Sequence, residues 1–211
     1  MKNCEAGRSM IEMLGVLAII GVLSVGGLAG YSKMMSQYRI NASMEQMAMI
    51  SSKISAYGSG ANSYEGLDLK SAYKLGAPIS DPESATNPFN GGIEVEPSNI
   101  EGNSEDKQAY VITFTGLTEE ACVALASSSW GNVRNSSFIG LGGGAADEKD
   151  TIEGKLFLGC FGDTDSKTYA AACQCKEDDS KCKVPIPMDV GTAALGCTCP
   201  NADCVFMMKF F

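Results

Sequence analysis

The sequence predicts an α+β protein: a long N-terminal helix, membrane-inserted in its first half, packs its second half against an antiparallel β-sheet, and the C-terminal region is rich in disulfides. Three observations predict it. An apolar run of 17 residues, Met13 to Ala29, carries no charge and passes directly into a stretch that is amphipathic at helical spacing. Short segments rich in β-branched and aromatic residues follow from Ile93 to Phe211. All the cysteines except Cys4 lie at or beyond Cys122.

With Met10 and Ile11 before it and Gly30 and Tyr31 after it, the apolar run approaches the roughly 20 residues needed to cross a bilayer. Lys2, Arg8 and the amino terminus precede it, so the excess of positive charge leaves the start cytoplasmic and places everything after Tyr31 outside. Glu12 is the anomaly. An ionised group at a bilayer centre costs roughly 2.5 to 3.5 kcal/mol, and even near one end a carboxylate calls for a cationic partner. A secretory signal peptide is the plainer reading, with Met1 to Arg8 as its basic region. Against it stand Glu12, a run longer than the usual 7 to 15 or so residues, and the helical pattern that continues beyond. Leu28-Ala29-Gly30-Tyr31 nearly matches a lipoprotein box, but Tyr31 has no thiol to lipidate.

Beyond Tyr31 the apolar positions Ile40, Met44, Met47, Ile50 or Ser51, Ile54 and Tyr57 recur three to four apart, forming one stripe. Ser36, Gln37, Arg39, Asn41, Glu45, Gln46, Ser52 and Lys53 supply a wet face. No proline occurs before Pro78. One helix is therefore expected from Ser9 to Ala56, transmembrane over about 10–31 and amphipathic over about 32–57, and ended by Gly58-Ser59-Gly60. At 1.5 Å per residue it would be roughly 70 Å long. Gly26-x-x-x-Gly30 fits the small-residue pattern of close helix contacts, although glycine is common in membrane helices generally. In water each helical glycine costs about 1 kcal/mol, so Gly26-Gly27 is where the helix would loosen outside a bilayer.

The remaining residues, 59–211, suffice for one extracytoplasmic domain. Leu67 to Gly76 reads as a short helix capped by Gly76. A loop organised by Pro78, Pro82, Asn87, Pro88, Asn90, Gly91 and Gly92 leads to a strand at Ile93 to Glu96. Gln108 to Thr115 is a strong strand signal and is expected to be central. Thr118 is a good N-cap, with Glu119 and Glu120 in the dipole-favoured first turn and Cys122, Leu125 and Ala126 facing inward. Lys155 to Phe161 and Cys204 to Phe211 read as further strands. Between Thr164 and Asn201 there is little periodicity, so disulfides are expected to hold that excursion, within a cysteine-rich part spanning 160–204.

The net charge of -9, without any basic patch, argues against nonspecific nucleic-acid binding, which rests on phosphate neutralisation. The chain has no histidine, which removes Ser-His and Cys-His nucleophile pairs. Gly140 to Ala145 fits a dinucleotide fingerprint only superficially, because the polar run Ala146 to Asp150 follows where an apolar helix should open; a flexible loop is expected. No enzymatic activity, cofactor or resident metal is expected. The pairs Cys173-x-Cys175 and Cys197-x-Cys199 lack zinc-site spacing, while Asp147, Glu148 and Asp150, or Asp163 and Asp165, form either calcium-binding loops or solvated faces.

Gly7-Arg8-Ser9-Met10-Ile11-Glu12-Met13-Leu14 resembles the prepilin processing motif of type IV pilins. The resemblance implies a leader of residues 1–7, cleavage by prepilin peptidase between Gly7 and Arg8, and N-methylation of Arg8. Arg8 departs from the apolar first residue usual in the family. The resemblance also implies that Glu12 guides assembly by neutralising the terminal amine of a neighbouring subunit. Cleavage removes Cys4 and leaves eight cysteines, for which 105 pairings are possible. A second resemblance, from Ala77-Pro78 through Asn87-Pro88-Phe89-Asn90-Gly91-Gly92 to Ala121-Cys122, is to type IVb pilins and the thin-pilus pilins of conjugative plasmids. It implies a Cys122–Cys204 disulfide, leaving Cys160, Cys173, Cys175, Cys182, Cys197 and Cys199 for three local bridges.

The expected protein is thus a structural pilus subunit that polymerises with its own copies through the helix. Its further partners would be prepilin peptidase and an inner-membrane assembly platform, and it would pass from the inner membrane to an extracellular filament. A pseudopilin or minor pilin of a secretion system, or a membrane-anchored cysteine-rich binding protein, is the alternative.

Overall fold

The computed structural model describes residues 10–58, 63–100, 107–130, 138–157, 160–161, 189–199 and 203–211. The chain divides into two compact units, Met1–Arg39 and Ile40–Phe211. Helix α1 runs unbroken from Met10 to Gly58, two residues past its expected end. Within the second unit it behaves as its pattern requires: Ile40, Met47, Ile50 and Ile54 are buried, whereas Asn41, Glu45, Ser52 and Lys53 are exposed.

Helix α2 (Leu69–Lys74) starts later than expected because Asp68 caps it, accepting the Ser71 N–H at 2.7 Å. The hydrogen bonds from Ser71 also hold the Asp68 carboxyl below its ordinary range. Strands β1 (Ile93–Ser98), β2 (Ala109–Leu117), β3 (Phe138–Ala145) and β6 (Cys204–Phe210) form an antiparallel sheet in the order β1-β2-β6-β3. The interior position expected for β2 is observed. Between β2 and the next strand lies α3 (Glu119–Ser127), whose Thr118 hydroxyl accepts the Ala121 N–H and whose Ala121, Cys122, Leu125 and Ala126 are buried.

Register sorts the sheet into two faces, since neighbouring strands place paired residues on the same side. Val95, Ile112, Met208 and Leu141 align across one face, as do Tyr110 and Phe210, whose rings stack at 5.2 Å. This face meets α1. The Tyr110 hydroxyl donates to the Ser51 carbonyl at 3.1 Å and lies 2.8 Å from Ser55 Oγ, and burial pushes its pKa well up.

The opposite face carries Glu94, Glu96, Thr113, Val111, Met207 and Lys209, and from β3 only Gly140, Gly142 and Gly144. A 3-10 turn (Ala146–Glu148) and helix α4 (Lys149–Lys155) pack there. Lys149 Nζ bonds Glu94 and, at 2.9 Å, Glu96; Ser98 donates to Glu153 Oε1 at 2.8 Å. Burial draws the Lys149 pKa down, but the hydrogen bonds to both glutamates outweigh it and hold it above the ordinary lysine value.

Three expectations need correction. Gly140 to Ala145 is strand β3 rather than a flexible loop, because pairing along β6 supplies the backbone bonds and α4 needs the room: a Cβ on Gly144 would stand 2.9 Å from Ile152 Cδ1. Lys155 to Phe161 is not one strand. It ends α4 and then makes the two-residue strands β4 (Leu156–Phe157) and β5 (Cys160–Phe161), which pair only with each other. Within the aperiodic excursion, Val190–Gly196 forms helix α5.

Asn87 locks the loop before β1. Its buried amide donates to Gly92 O at 3.1 Å and Thr115 O at 2.8 Å, and its Oδ1 accepts the N–H of Phe89 and Gly91. Gly91 is forced by the same contact, since a Cβ there would lie 1.7 Å from the Thr115 carbonyl oxygen. Asn87→Asp presents a carboxylate to two carbonyls and is expected to destabilise the domain by at least the ~1 to 3 kcal/mol of an unsatisfied buried group. Asn90→Gly, at a residue with φ 65°, should cost nothing or add stability. Denaturant midpoints of both variants check the pair.

Candidate functional site

Among the described residues one helix is long and apolar enough to cross a membrane, and none of its most apolar window is buried. Met13, Leu17, Ile20, Val25 and Leu28 are all more than half exposed. In this unit the described charges are Glu12, Lys33 and Arg39. Glu12 stands in the first described turn of α1, exposed, where a helix dipole favours a carboxylate. Gly7 and Arg8 lie outside the described residues. Among the described ion pairs, Lys70–Glu83 and those of Lys149, none involves Glu12.

Among the described residues nothing packs against the glycines of this stretch. A Cβ built on Gly15, Gly21, Gly26, Gly27 or Gly30 meets no atom within 4 Å. Each still weakens an aqueous helix by about 1 kcal/mol relative to alanine. In the single chain the helix is unbroken through Gly26-Gly27.

The cysteines are paired differently from the expectation. Cys122 and Cys204 are both bridged, but not to each other: Cys122 joins Cys197, and Cys199 joins Cys204. The reason lies in α5, which the aperiodic sequence concealed. Cys197 follows the last turn of α5 and meets Cys122 on α3, while Cys199, only five residues before Cys204, closes the short return into β6. The Cys204 sulfur still lies 3.9 Å from the Cys197 carbonyl and the Cys122 sulfur 3.9 Å from that of Val205, so α3 is tied to the head of β6 through α5. Glu119, read from the sequence only as a first-turn acid, adds a bond by accepting the Cys199 N–H at 3.0 Å. Three local bridges among the other six cysteines are therefore excluded, because Cys197 and Cys199 pair outside that set. Cys160 stands in β5, and Cys173, Cys175 and Cys182 lie outside the described residues.

Among the described residues no group of three cysteines or carboxylates is placed to hold a metal ion; Asp163 and Asp165 lie outside them. A shallow cleft of about 260 Å³ beside the end of α1 has Ser63, Tyr64, Glu65 and Ser71 as its polar lining, without a nucleophile–base pair.

A long N-terminal helix whose second half is covered by an antiparallel sheet, with disulfides binding the C-terminal elements to it, is the type IV pilin fold. The solved structure of TcpA, a type IV pilin from the El Tor biotype of Vibrio cholerae, is similar to this chain with a TM-score of 0.51 at 17% identity, over 82% of this chain and 99% of that one. No family model and no curated protein matches the sequence.

Peptide mapping of the non-reduced protein should recover Cys122 linked to Cys197 and Cys199 linked to Cys204. Replacing the first pair with serines opens a loop of separation 75 and should cost roughly 4 kcal/mol; replacing the second, of separation 5, should cost roughly 2. Thermal unfolding of the two double variants tests that order.

Proposed function

We propose that this chain is the structural subunit of a bacterial type IV pilus, cleaved by prepilin peptidase between Gly7 and Arg8, N-methylated at Arg8, and polymerised through α1. It is not an enzyme. The observation that carries the reading is the set of glycines from Gly15 to Gly30 that face open space in the single chain. Glycine at a helix surface permits close approach of another helix, and among the described residues nothing makes that approach. The pilin fold, a membrane-length helix and a carboxylate at its start support the same conclusion.

In this reading the precursor waits in the inner membrane and an assembly platform moves it into an extracellular filament. Glu12 pairs with the terminal amine of a neighbouring copy, which sets axial register and offsets the cost of carrying a carboxylate into an apolar core. The domain held by Cys122–Cys197 and Cys199–Cys204 faces outward.

Mass spectrometry of the mature protein should place its amino terminus at Arg8; a terminus at Met1 or near Tyr31 would sink the proposal. Glu12→Ala should leave membrane insertion intact and abolish filaments, as seen by electron microscopy of sheared surface fractions. Filaments at wild-type abundance would reduce the helix to a tether.

A further inference from the structure

The helix also carries an outer boundary. Counting along it, Glu12 and Lys33 are 21 residues apart, or about 31 Å, which matches the roughly 30 Å hydrocarbon thickness of a bilayer. No charge stands between them. Just inside the upper limit is Tyr31, 63% exposed, and one to two turns beyond it is Tyr38, 68% exposed.

Their angular placement narrows the partner. At 3.6 residues per turn Tyr31 and Tyr38, seven apart, share one side of the helix, whereas Lys33 points about 200° away from Tyr31. The apolar side chains below them, Met13 to Leu28, are exposed around the whole circumference. A groove on another protein would contact one side. A surface that is apolar all round and ends in tyrosines and a lysine on opposite sides fits a medium with a flat boundary, where aromatic rings sit at headgroup level and a lysine reaches phosphate. Charge agrees: in a chain of net charge -9, this position carries a cation opposite an anionic layer.

We propose that Tyr31, Lys33 and Tyr38 form a phospholipid headgroup collar that sets the depth of α1 in the membrane. It holds Met13 to Gly30 in the hydrocarbon and keeps the Glu12 carboxylate at the opposite boundary. The proposal rests on the membrane-stored precursor described above, and it adds the residues that set its position.

The full chain, reconstituted in vesicles of phosphatidylcholine and phosphatidylglycerol brominated either near the headgroup or near the chain end, tests it through tryptophan quenching. The wild type, with Trp130 alone, supplies the background. Leu23→Trp should be quenched most by deep bromine, Tyr31→Trp most by shallow bromine, and Tyr38→Trp by shallow bromine alone, more weakly than Tyr31→Trp because it stands about two turns farther out. Adding Lys33→Leu should move the Tyr31→Trp reporter toward the bilayer centre by up to one turn, about 5 Å, while Lys33→Arg should leave it in place. If Leu23→Trp is not quenched by either lipid, the membrane-spanning reading itself fails. If it is quenched but Lys33→Leu leaves the Tyr31→Trp depth unchanged, the span stands and the collar is overturned.

Discussion

In the membrane-stored form proposed above, one helical backbone has to satisfy two environments, and the rest of the structure follows from that constraint. In hydrocarbon every N–H and C=O must be paired within the segment, which a helix does by itself. The same hydrogen-bond ladder continues from Met10 to Gly58 without a proline to interrupt it, so the change of environment is written entirely in side chains. Below Tyr31 they are apolar all round; from Ile40 onward they are apolar on one stripe. Burying Ile40, Met47, Ile50 and Ile54 contributes roughly 1.5 to 3 kcal/mol each, which requires something to cover them. The sheet face that carries Tyr110 and the loop at Pro78 supply that cover.

The cover depends on its last element. Strand β6 pairs with both β2 and β3, and all seven of its residues are buried, so the sheet is incomplete until the C-terminus arrives. Bringing β6 beside β2 closes a long loop, and such closures carry an entropic cost that rises slowly with length. The cysteine cluster acts at this point. Cys122–Cys197 ties α3 to α5, Cys199–Cys204 ties the residues after α5 to the first residue of β6, and Glu119 accepts the Cys199 N–H. Cross-linking removes disorder from the unfolded chain where the topology is otherwise most demanding.

The sequence revealed those parts of this arrangement whose local and global requirements agree. Periodicity marked the stripe on α1, β-branched and aromatic residues marked β2, the apolar run with two phenylalanines marked β6, and capping chemistry marked the start of α3. Where tertiary context overrides local preference, the sequence misled. A run of glycines looks mobile, yet β3 needs them because α4 lies against Gly144 and because β6 supplies the pairing. Helix α5 spans only seven residues, too short for its spacing to stand out, so its role in choosing the cysteine partners was invisible. Asn87 looked like a turn residue. Its four hydrogen bonds to a neighbouring strand and its own loop depend on partners up to 28 positions away. At the candidate site the cost of a carboxylate beside an apolar run singled out Glu12 and the apolar pattern the span, while the open space beside the glycines became visible only in the fold.

A protein proposed to polymerise through a helix has a corresponding need not to polymerise through its sheet. Open β edges present unpaired N–H and C=O groups to any similar edge. Here β1 is an edge strand, and its sequence, Ile93-Glu94-Val95-Glu96-Pro97-Ser98, works against strand addition: two carboxylates repel an identical edge and Pro97 has no N–H to donate. Lys149 fixes both carboxylates from α4, and its raised pKa keeps that cation charged well above neutral pH. The clamp thus joins fold to function. It fastens α4 across the face where β3 is all glycine and holds the charges that guard the edge, leaving the exposed half of α1 as the surface proposed to bring copies together.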